Sequence, residues 1–419
     1  MNIPFKSGNI LLPKNTDMTK WSVVACDQYT SEPKYWEEVS NIVGSAPSTL
    51  KLTLPEIYLD SVDVAARINN INQNMDELLN KDFFVEYKDS MIYLRRTQAD
   101  GKIREGLMGV VDLEDYSYEV GSQTLIRATE KTVIERIPPR VKIRENASLE
   151  LPHIMILIDD DKKSVIEPLN EEVLEEDVVY DFDLMQNGGH IKGYKLPQKA
   201  IDEVLKKLEQ LADKNCFENK YNVKDKGVLL FAMGDGNHSL ATAKAHFENL
   251  KKTMSKDEYL NHPARYALVE LVNLHSDALE FEAINRVVFD CDVDNLIEEL
   301  NKFYDLNKDG NGEEFEIITK DRDEILYITN SKSNISVGSI QIFLDEYLKN
   351  NKGKIDYIHG DDTTKDMAHK DNNVGFIFKP MQKEDLFKTV ILDGALPRKT
   401  FSMGHSYDKR YYLEARIIK

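Results

Sequence analysis

The stretch GVLLFAMGDGNHSLATAKAHF, residues 227–247, runs from continuously apolar residues into Gly-Asp-Gly-Asn-His-Ser and then into residues that favour helix. The reading is strand, turn, helix. Gly234 and Gly236 permit positive φ and the close approach of another group, while Asp235 or Asn237 can cap the helix. Backbone N–H groups and the positive dipole end at the mouth of such a helix suit a phosphate. His238, in the first helical turn, can donate a hydrogen bond to that anion or change charge near neutral pH. A purely structural glycine turn with a satisfied histidine fits the same residues.

Competing motifs fail on particular positions. No G-x-x-x-x-G-K-[ST] loop occurs, and G-x-G-x-x-G is met only at Gly234 and Gly236, with Ser239 where the third glycine belongs. DLNKDGNGEEFE, residues 305–316, has Asp305, Asn307, Asp309, Gly310 and Glu316 at calcium-loop positions. Gly312 stands where that loop needs an apolar residue, and a hairpin-like sequence follows instead of a helix, so a turn is expected. The histidines at 262, 275, 359, 369 and 405 form no metal-binding spacing. Cys26, Cys216 and Cys291 are far apart, which predicts buried free thiols and neither a disulfide framework nor a zinc site.

The elements that must carry these residues alternate between strand and helix. WSVVACD (21–27), DSMIYLRRT (89–97), EGLMGVVDLED (105–115), LPHIMILIDD (151–160) and RYALVELVNL (265–274) read as strands. KYWEEVSNIV, DVAARINNINQNMDELLN and QKAIDEVLKKLEQLADKN carry helical spacing. The expected fold class is α/β, or mixed α+β, in three parts: 1–160, 161–290 and 291–419. A formal charge of −19, from 54 Lys+Arg against 73 Asp+Glu, argues against binding to nucleic acid backbones. No basic leader and no long apolar window occurs, so a cytoplasmic protein without a membrane span is expected.

GDGNHSLATAKA resembles the signature turn of the family known as domain of unknown function 1015, which commonly reads D-G-H-H-R-x-x-x-A. Other pieces agree in order: Val24 to Tyr29 with an early P-Y-D-V stretch, Gly109 to Tyr116 with a G-hydrophobic-x-D-Y strand, and Thr129 to Thr132 with H-E-x-T. Ile284-Asn285-Arg286 and Leu396-Pro397-Arg398-Lys399-Thr400 resemble the family's T-H-R and M-P-x-K-S/T pieces. Ala128, Asn237 and Ser239 depart from the usual histidine, histidine and arginine. The turn is also similar to that of the ParB and sulfiredoxin superfamily, whose members set such a motif over nucleotide phosphates and include free serine kinases. Asn237 stands where sulfiredoxin needs its cysteine, which argues against sulfinic acid repair.

That resemblance implies a ParB/sulfiredoxin-like core embedded in a larger chain, and a small-molecule phosphotransferase using ATP or ADP and Mg2+ on a small hydroxylated metabolite such as serine. Phosphoryl transfer needs held phosphates, a divalent cation, positive charge on the migrating group and a carboxylate for the acceptor hydroxyl. The assignments are the turn Gly234, Asp235, Gly236, Asn237, His238 and Ser239 for phosphate, with Asp235 also for magnesium and His238 also as a catalytic residue. Arg286, Arg398, Lys399 and Thr400 follow for the nucleotide, and Asp27 and Glu130 for base and metal, Glu130 preferred as base. A nucleotide-sensing protein without turnover and an NTP hydrolase are the alternatives. For Glu130, pairing with Lys131 or Arg136 is the bland one.

Overall fold

The computed structural model describes residues 3–419. The chain forms two compact units, one from residues up to Ala128, Thr132–Leu279 and His405–Lys419, the other from Thr129–Lys131 and Glu280–Gly404. This differs from a division near 160 and 290. Strand Met155–Ile158 is bonded to Tyr266–Asn273 on one side and Phe231–Asp235 on the other, which places position 160 beside the middle of the first unit's sheet. Strand Phe281–Phe289 already belongs to the second unit.

The fold is mixed α/β. A ten-stranded sheet organises the first unit, its path running Val178–Asp183, His190–Lys195, Ile92–Thr97, Ile103–Asp112, Tyr266–Asn273, Met155–Ile158, Phe231–Asp235, Ile126–Arg127 and Tyr116–Ser117. Phe5–Lys6 adds to Ile103–Asp112. The continuous apolar run in that strand reflects burial on both faces, since successive side chains point to opposite sides. Leu107 and Val111 join the core beneath helix Gln198–Leu211, whereas Met108 and Val110 join the one containing Trp36 and Val39. The helix presents Ala200, Ile201, Val204 and Leu208 at helical spacing. It stops short of the expected 215 because Asp213 caps a new helix, Lys214–Tyr221, by accepting the Cys216 N–H at 2.8 Å.

The expected strand over 21–27 contracts to Val23–Val24, because helix Met18–Trp21, capped by Asp17, takes its first residue. Its partner is Tyr411–Tyr412, near the far end of the chain. None of the three cysteines is in a disulfide, and their environments differ from the uniform burial expected: Cys291 is buried, Cys26 partly so, and Cys216 is exposed on its helix.

The second unit is built on a seven-stranded antiparallel sheet ordered Leu306–Asn307, Arg322–Ile328, Glu313–Thr319, Val374–Ile377, Phe281–Phe289 and Lys354–His359, with Phe401–Met403 also on Phe281–Phe289. Helices Val293–Phe303 and Ser336–Tyr347 bury Leu296, Leu300, Ile340, Phe343 and Leu344 against it. The calcium-loop look-alike is the turn before strand Glu313–Thr319. Its side chains serve the turn itself, Asn307 accepting the Asp309 N–H and Asp309 accepting the Asn311 N–H, each at 3.1 Å. Among the described residues no helix is long and apolar enough to cross a membrane.

Candidate functional site

Strand Phe231–Asp235 ends at Asp235, and helix Asn237–Lys251 begins two residues later. Gly236 makes the junction at φ +77°, and a Cβ there would lie 3.1 Å from the Ile154 Cα, so both the angle and the space call for glycine. Gly234 lies within the strand, so of the two glycines that permit positive φ only Gly236 adopts it. The helix also lacks the side-chain cap expected from Asp235 or Asn237. Asn237 is already helical, and Asp235 Oδ1 instead accepts the Gly236 N–H at 2.8 Å. His238 falls in the first turn as predicted, where its Nε2 faces the Val133 N–H at 3.4 Å.

Residues remote in sequence surround this turn. His153, buried just ahead of strand Met155–Ile158, brings Nε2 to 3.0 Å from Ser239 Oγ and 3.6 Å from Asp27 Oδ2. Its Nδ1 lies 2.8 Å from the Tyr412 hydroxyl, which also accepts the Cys26 N–H at 3.2 Å. Lys409 Nζ sits 3.3 Å from Asp235 Oδ2. Burial favours the neutral acid of Asp27, yet His153, the Gln28 amide and the Lys409 ammonium outweigh it and hold the carboxyl below its ordinary value.

The tail that delivers Lys409 and Tyr412 is fixed from inside the first unit. Buried Arg96 donates to the Lys409 carbonyl at 2.6 Å and to the Asp408 carbonyl at 3.1 Å, and Arg104 reaches the Asp408 carbonyl at 2.8 Å. Arg410 is paired with buried Glu270 and Glu414. Such buried charges are costly to desolvate and persist only when paired, so they hold the tail to one path.

Glu130 and the Leu396–Thr400 segment lie in the second unit. Glu130 bridges to Leu396, and the Leu396 N–H donates to the Thr129 carbonyl at 2.6 Å. Burial pushes the Glu130 carboxyl up, against backbone N–H groups of Lys399 and Thr400 and the charges of Lys399 and Arg286. Arg286 is fully buried, donating to Gln341 at 3.1 Å, to the Ile284 carbonyl, and to the Arg398 carbonyl at 3.1 Å. It therefore braces the segment through main chain. Exposed Arg398 donates to the Tyr357 hydroxyl at 2.7 Å, exposed Lys399 adopts φ +57°, and buried Thr400 donates to the Pro397 carbonyl at 2.7 Å.

The candidate residues thus form two sets. The first unit joins Asp27, Asp235, Gly236, His238 and Ser239; the second joins Glu130, Arg286, Arg398, Lys399 and Thr400. His153, Lys409 and Tyr412 had no motif to mark them. The signal available was an isolated histidine ahead of a buried strand and a Lys-Arg-Tyr-Tyr run near the end.

The profile of proteins of unknown function DUF1015 matches residues 4–347. The chain belongs to this family. No curated protein is significantly similar to this DUF1015 chain. Similar solved structures include a conserved hypothetical protein from Pyrococcus furiosus, with TM-score 0.36 and 10% identity over 74% of this chain and 94% of that one. A free serine kinase variant in complex with ADP gives TM-score 0.39 and 12% identity over 74% of this chain and 92% of that one. C-terminally truncated SbnI from Staphylococcus aureus gives TM-score 0.36 and 9% identity over 71% of this chain and 82% of that one.

For magnesium, the DUF1015 chain offers the Asp235 carboxylate, whose Oδ1 accepts from Gly236 and whose Oδ2 lies 3.3 Å from Lys409 Nζ, and one carboxylate plus substrate phosphates is a usual way of holding that ion. Among the described residues no cluster of three or more His, Cys, Asp or Glu forms a self-contained metal site.

Proposed function

We propose that the protein is a nucleotide-dependent phosphotransferase that acts on the hydroxyl of a small metabolite such as serine. The carrying observation is Asp27: a carboxyl kept ionised by His153, Gln28 and Lys409 stands against the imidazole that also meets Ser239 of the glycine turn. An ionised carboxylate beside a phosphate-binding turn is what in-line transfer to an alcohol requires.

In this reading the Gly236 junction and the first turn of helix Asn237–Lys251 receive nucleotide phosphates, with Ser239 and His238 as side-chain contacts and Gly234 and Asn237 as turn residues. Asp235 would hold magnesium, which would supply positive charge to the migrating phosphoryl group. Asp27 orients and deprotonates the acceptor hydroxyl. In the second unit Glu130, Arg398, Lys399 and Thr400, braced by Arg286, form a set of their own, whose assignment to nucleotide by family order is tested apart from the turn.

Phosphorus NMR of the full chain with ATP or ADP, magnesium and a panel of free hydroxy amino acids and small alcohols tests the proposal. A new phosphomonoester signal that vanishes in Asp27→Asn is the expected result. Nucleotide binding with no product across the panel would replace this reading by a nucleotide-sensing protein. The engagement of Arg286 with carbonyls and Gln341 inside the second unit is what favours that second reading. Phosphate release without an acceptor would identify an NTP hydrolase.

A further inference from the structure

Tyr412 accepts the Cys26 N–H at 3.2 Å, so its own hydrogen is directed elsewhere, and His153 Nδ1 lies 2.8 Å away. Burial raises the Tyr412 hydroxyl well above its ordinary value, so it keeps that hydrogen. A neutral His153 accepting at Nδ1 must carry its hydrogen at Nε2, and a charged His153 carries one there as well. With the Tyr412 hydrogen on Nδ1, and not on the Cys26 thiol that is its other side-chain partner, Nε2 is a donor in either state. Ser239 Oγ, at 3.0 Å, is within hydrogen-bonding range, whereas Asp27 Oδ2, at 3.6 Å, is beyond it. A hydroxyl that accepts from Nε2–H must direct its own hydrogen away from His153, because a second hydrogen on that axis would clash.

We infer that His153 is a positioning residue of the glycine turn: with Tyr412 fixing its donor at Nε2, it turns the Ser239 hydroxyl into a committed donor toward a phosphate oxygen. This rests on the phosphate-binding reading above. The imidazole is suited to the task because it is buried, like Tyr412, and has little room to rotate. Gly236 keeps the backbone close, since a Cβ built there would lie 3.6 Å from His153 Cδ2. The order of contacts, Tyr412 to His153 to Ser239, links the tail of the chain to the first turn of helix Asn237–Lys251.

Two measurements on the full chain test the inference. Long-range proton–nitrogen NMR of protein labelled at histidine nitrogen reads the tautomer, with the His153 signals identified by their loss in His153→Gln. A bare Nδ1 with protonated Nε2, or a doubly protonated ring, is expected; a neutral ring protonated at Nδ1 overturns the inference. ADP titration then gives a double-mutant cycle. His153→Ala and Ser239→Ala should each weaken ADP about tenfold, and the double variant little more than either, because both remove one directed donor. His153→Gln, which keeps an amide donor, should stay within about threefold of the unaltered protein.

Fully multiplicative losses would overturn the inference, showing that His153 acts independently of Ser239. Equal losses in His153→Gln and His153→Ala, at unchanged thermal midpoint, would do the same. If the unaltered protein bound no ADP, the nucleotide reading itself would fall and with it the role of the Ser239 hydrogen. The Nδ1 tautomer, by contrast, would remove His153 alone and leave that reading standing.

Discussion

Both units set a carboxylate against a tight turn, and the two carboxyls are driven in opposite directions. In the first unit Asp27 has an imidazole, an amide and an ammonium around it, and they hold it ionised despite its burial. In the second, Glu130 receives backbone N–H groups from Lys399 and Thr400 and the field of Arg286, yet burial prevails and the carboxyl shifts up. Partial burial does not by itself decide proton affinity; the number and charge of close partners does. Asp27 is therefore the carboxylate held ionised at the expense of its proton affinity, while Glu130 takes up a proton more readily and anchors the Lys399–Thr400 turn.

The largest expected effect separates these roles. Asp27→Asn should lower the turnover of the proposed transfer by about 10²–10⁴-fold, the contribution typical of a general base. Glu130→Gln, which preserves size and one acceptor oxygen, should cost at most about tenfold, mainly in KM for the nucleotide. Steady-state kinetics on the acceptor found by phosphorus NMR would check both. A reversed order would make Glu130 the base and collapse the contrast between the two carboxyls.

A second contrast concerns how each turn reaches positive φ. The first uses glycine at 236, with φ +77° and the Ile154 Cα 3.1 Å from a would-be Cβ. Gly236→Ala should therefore destabilise the protein by about 1–2 kcal/mol and displace the first turn of the helix, weakening ADP binding. Denaturant unfolding and ADP titration of the same variant would show both losses. Unaltered ADP affinity alongside the stability loss would make the junction a folding feature only.

The strand-turn-helix around Gly236 was legible because its signals are local: an apolar run, two glycines and helix formers. The long strands 103–112 and 266–273 were legible for the same reason, as burial on both faces leaves the apolar runs 106–111 and 266–269. The division into units was not, because it depends on pairings such as Tyr411–Tyr412 with Val23–Val24, which join opposite ends of the chain. His153 and Lys409 were hidden likewise. A single histidine or lysine has no periodicity, and its meaning comes from which tertiary neighbours the sheet and the tail place beside it. Arg286 shows the converse: family order singled it out as a nucleotide contact, whereas its local chemistry is main-chain bracing, which no spacing rule encodes.

Acid and base limbs of the stability curve offer a sharper comparison that needs no substrate. The depressed Asp27 value means stability that is present above the ordinary aspartate value of 3.8 and lost as pH falls through the folded-state value. For Glu130 the sign is opposite. Its folded value is raised, so ionising it in the native state costs stability as pH climbs from the ordinary glutamate value of 4.5 through the folded one. Asp27→Asn should accordingly flatten the acid limb, whereas Glu130→Gln should leave that limb in place and raise the thermal midpoint at neutral pH. Midpoints measured from pH 3 to pH 8 would decide it, these limits being about one unit below and several above the ordinary carboxylate values. A lower neutral midpoint in Glu130→Gln would mean that the bonds from Lys399 and Thr400 outweigh desolvation.

The smallest expected effect lies at Lys399, the second turn's answer to Gly236. A lysine at φ +57° carries strain of about 1 kcal/mol that a glycine would not. Lys399→Gly relieves it but also frees the unfolded chain, so the net change should be within about 0.5–1 kcal/mol of zero. The exposed ammonium is the one feature of Lys399 that glycine cannot supply, so the variant isolates its contribution. The variant should therefore hold its stability and lose nucleotide affinity, with a weaker salt dependence of binding than the unaltered protein. Equal affinity and equal salt dependence would reduce Lys399 to a turn residue.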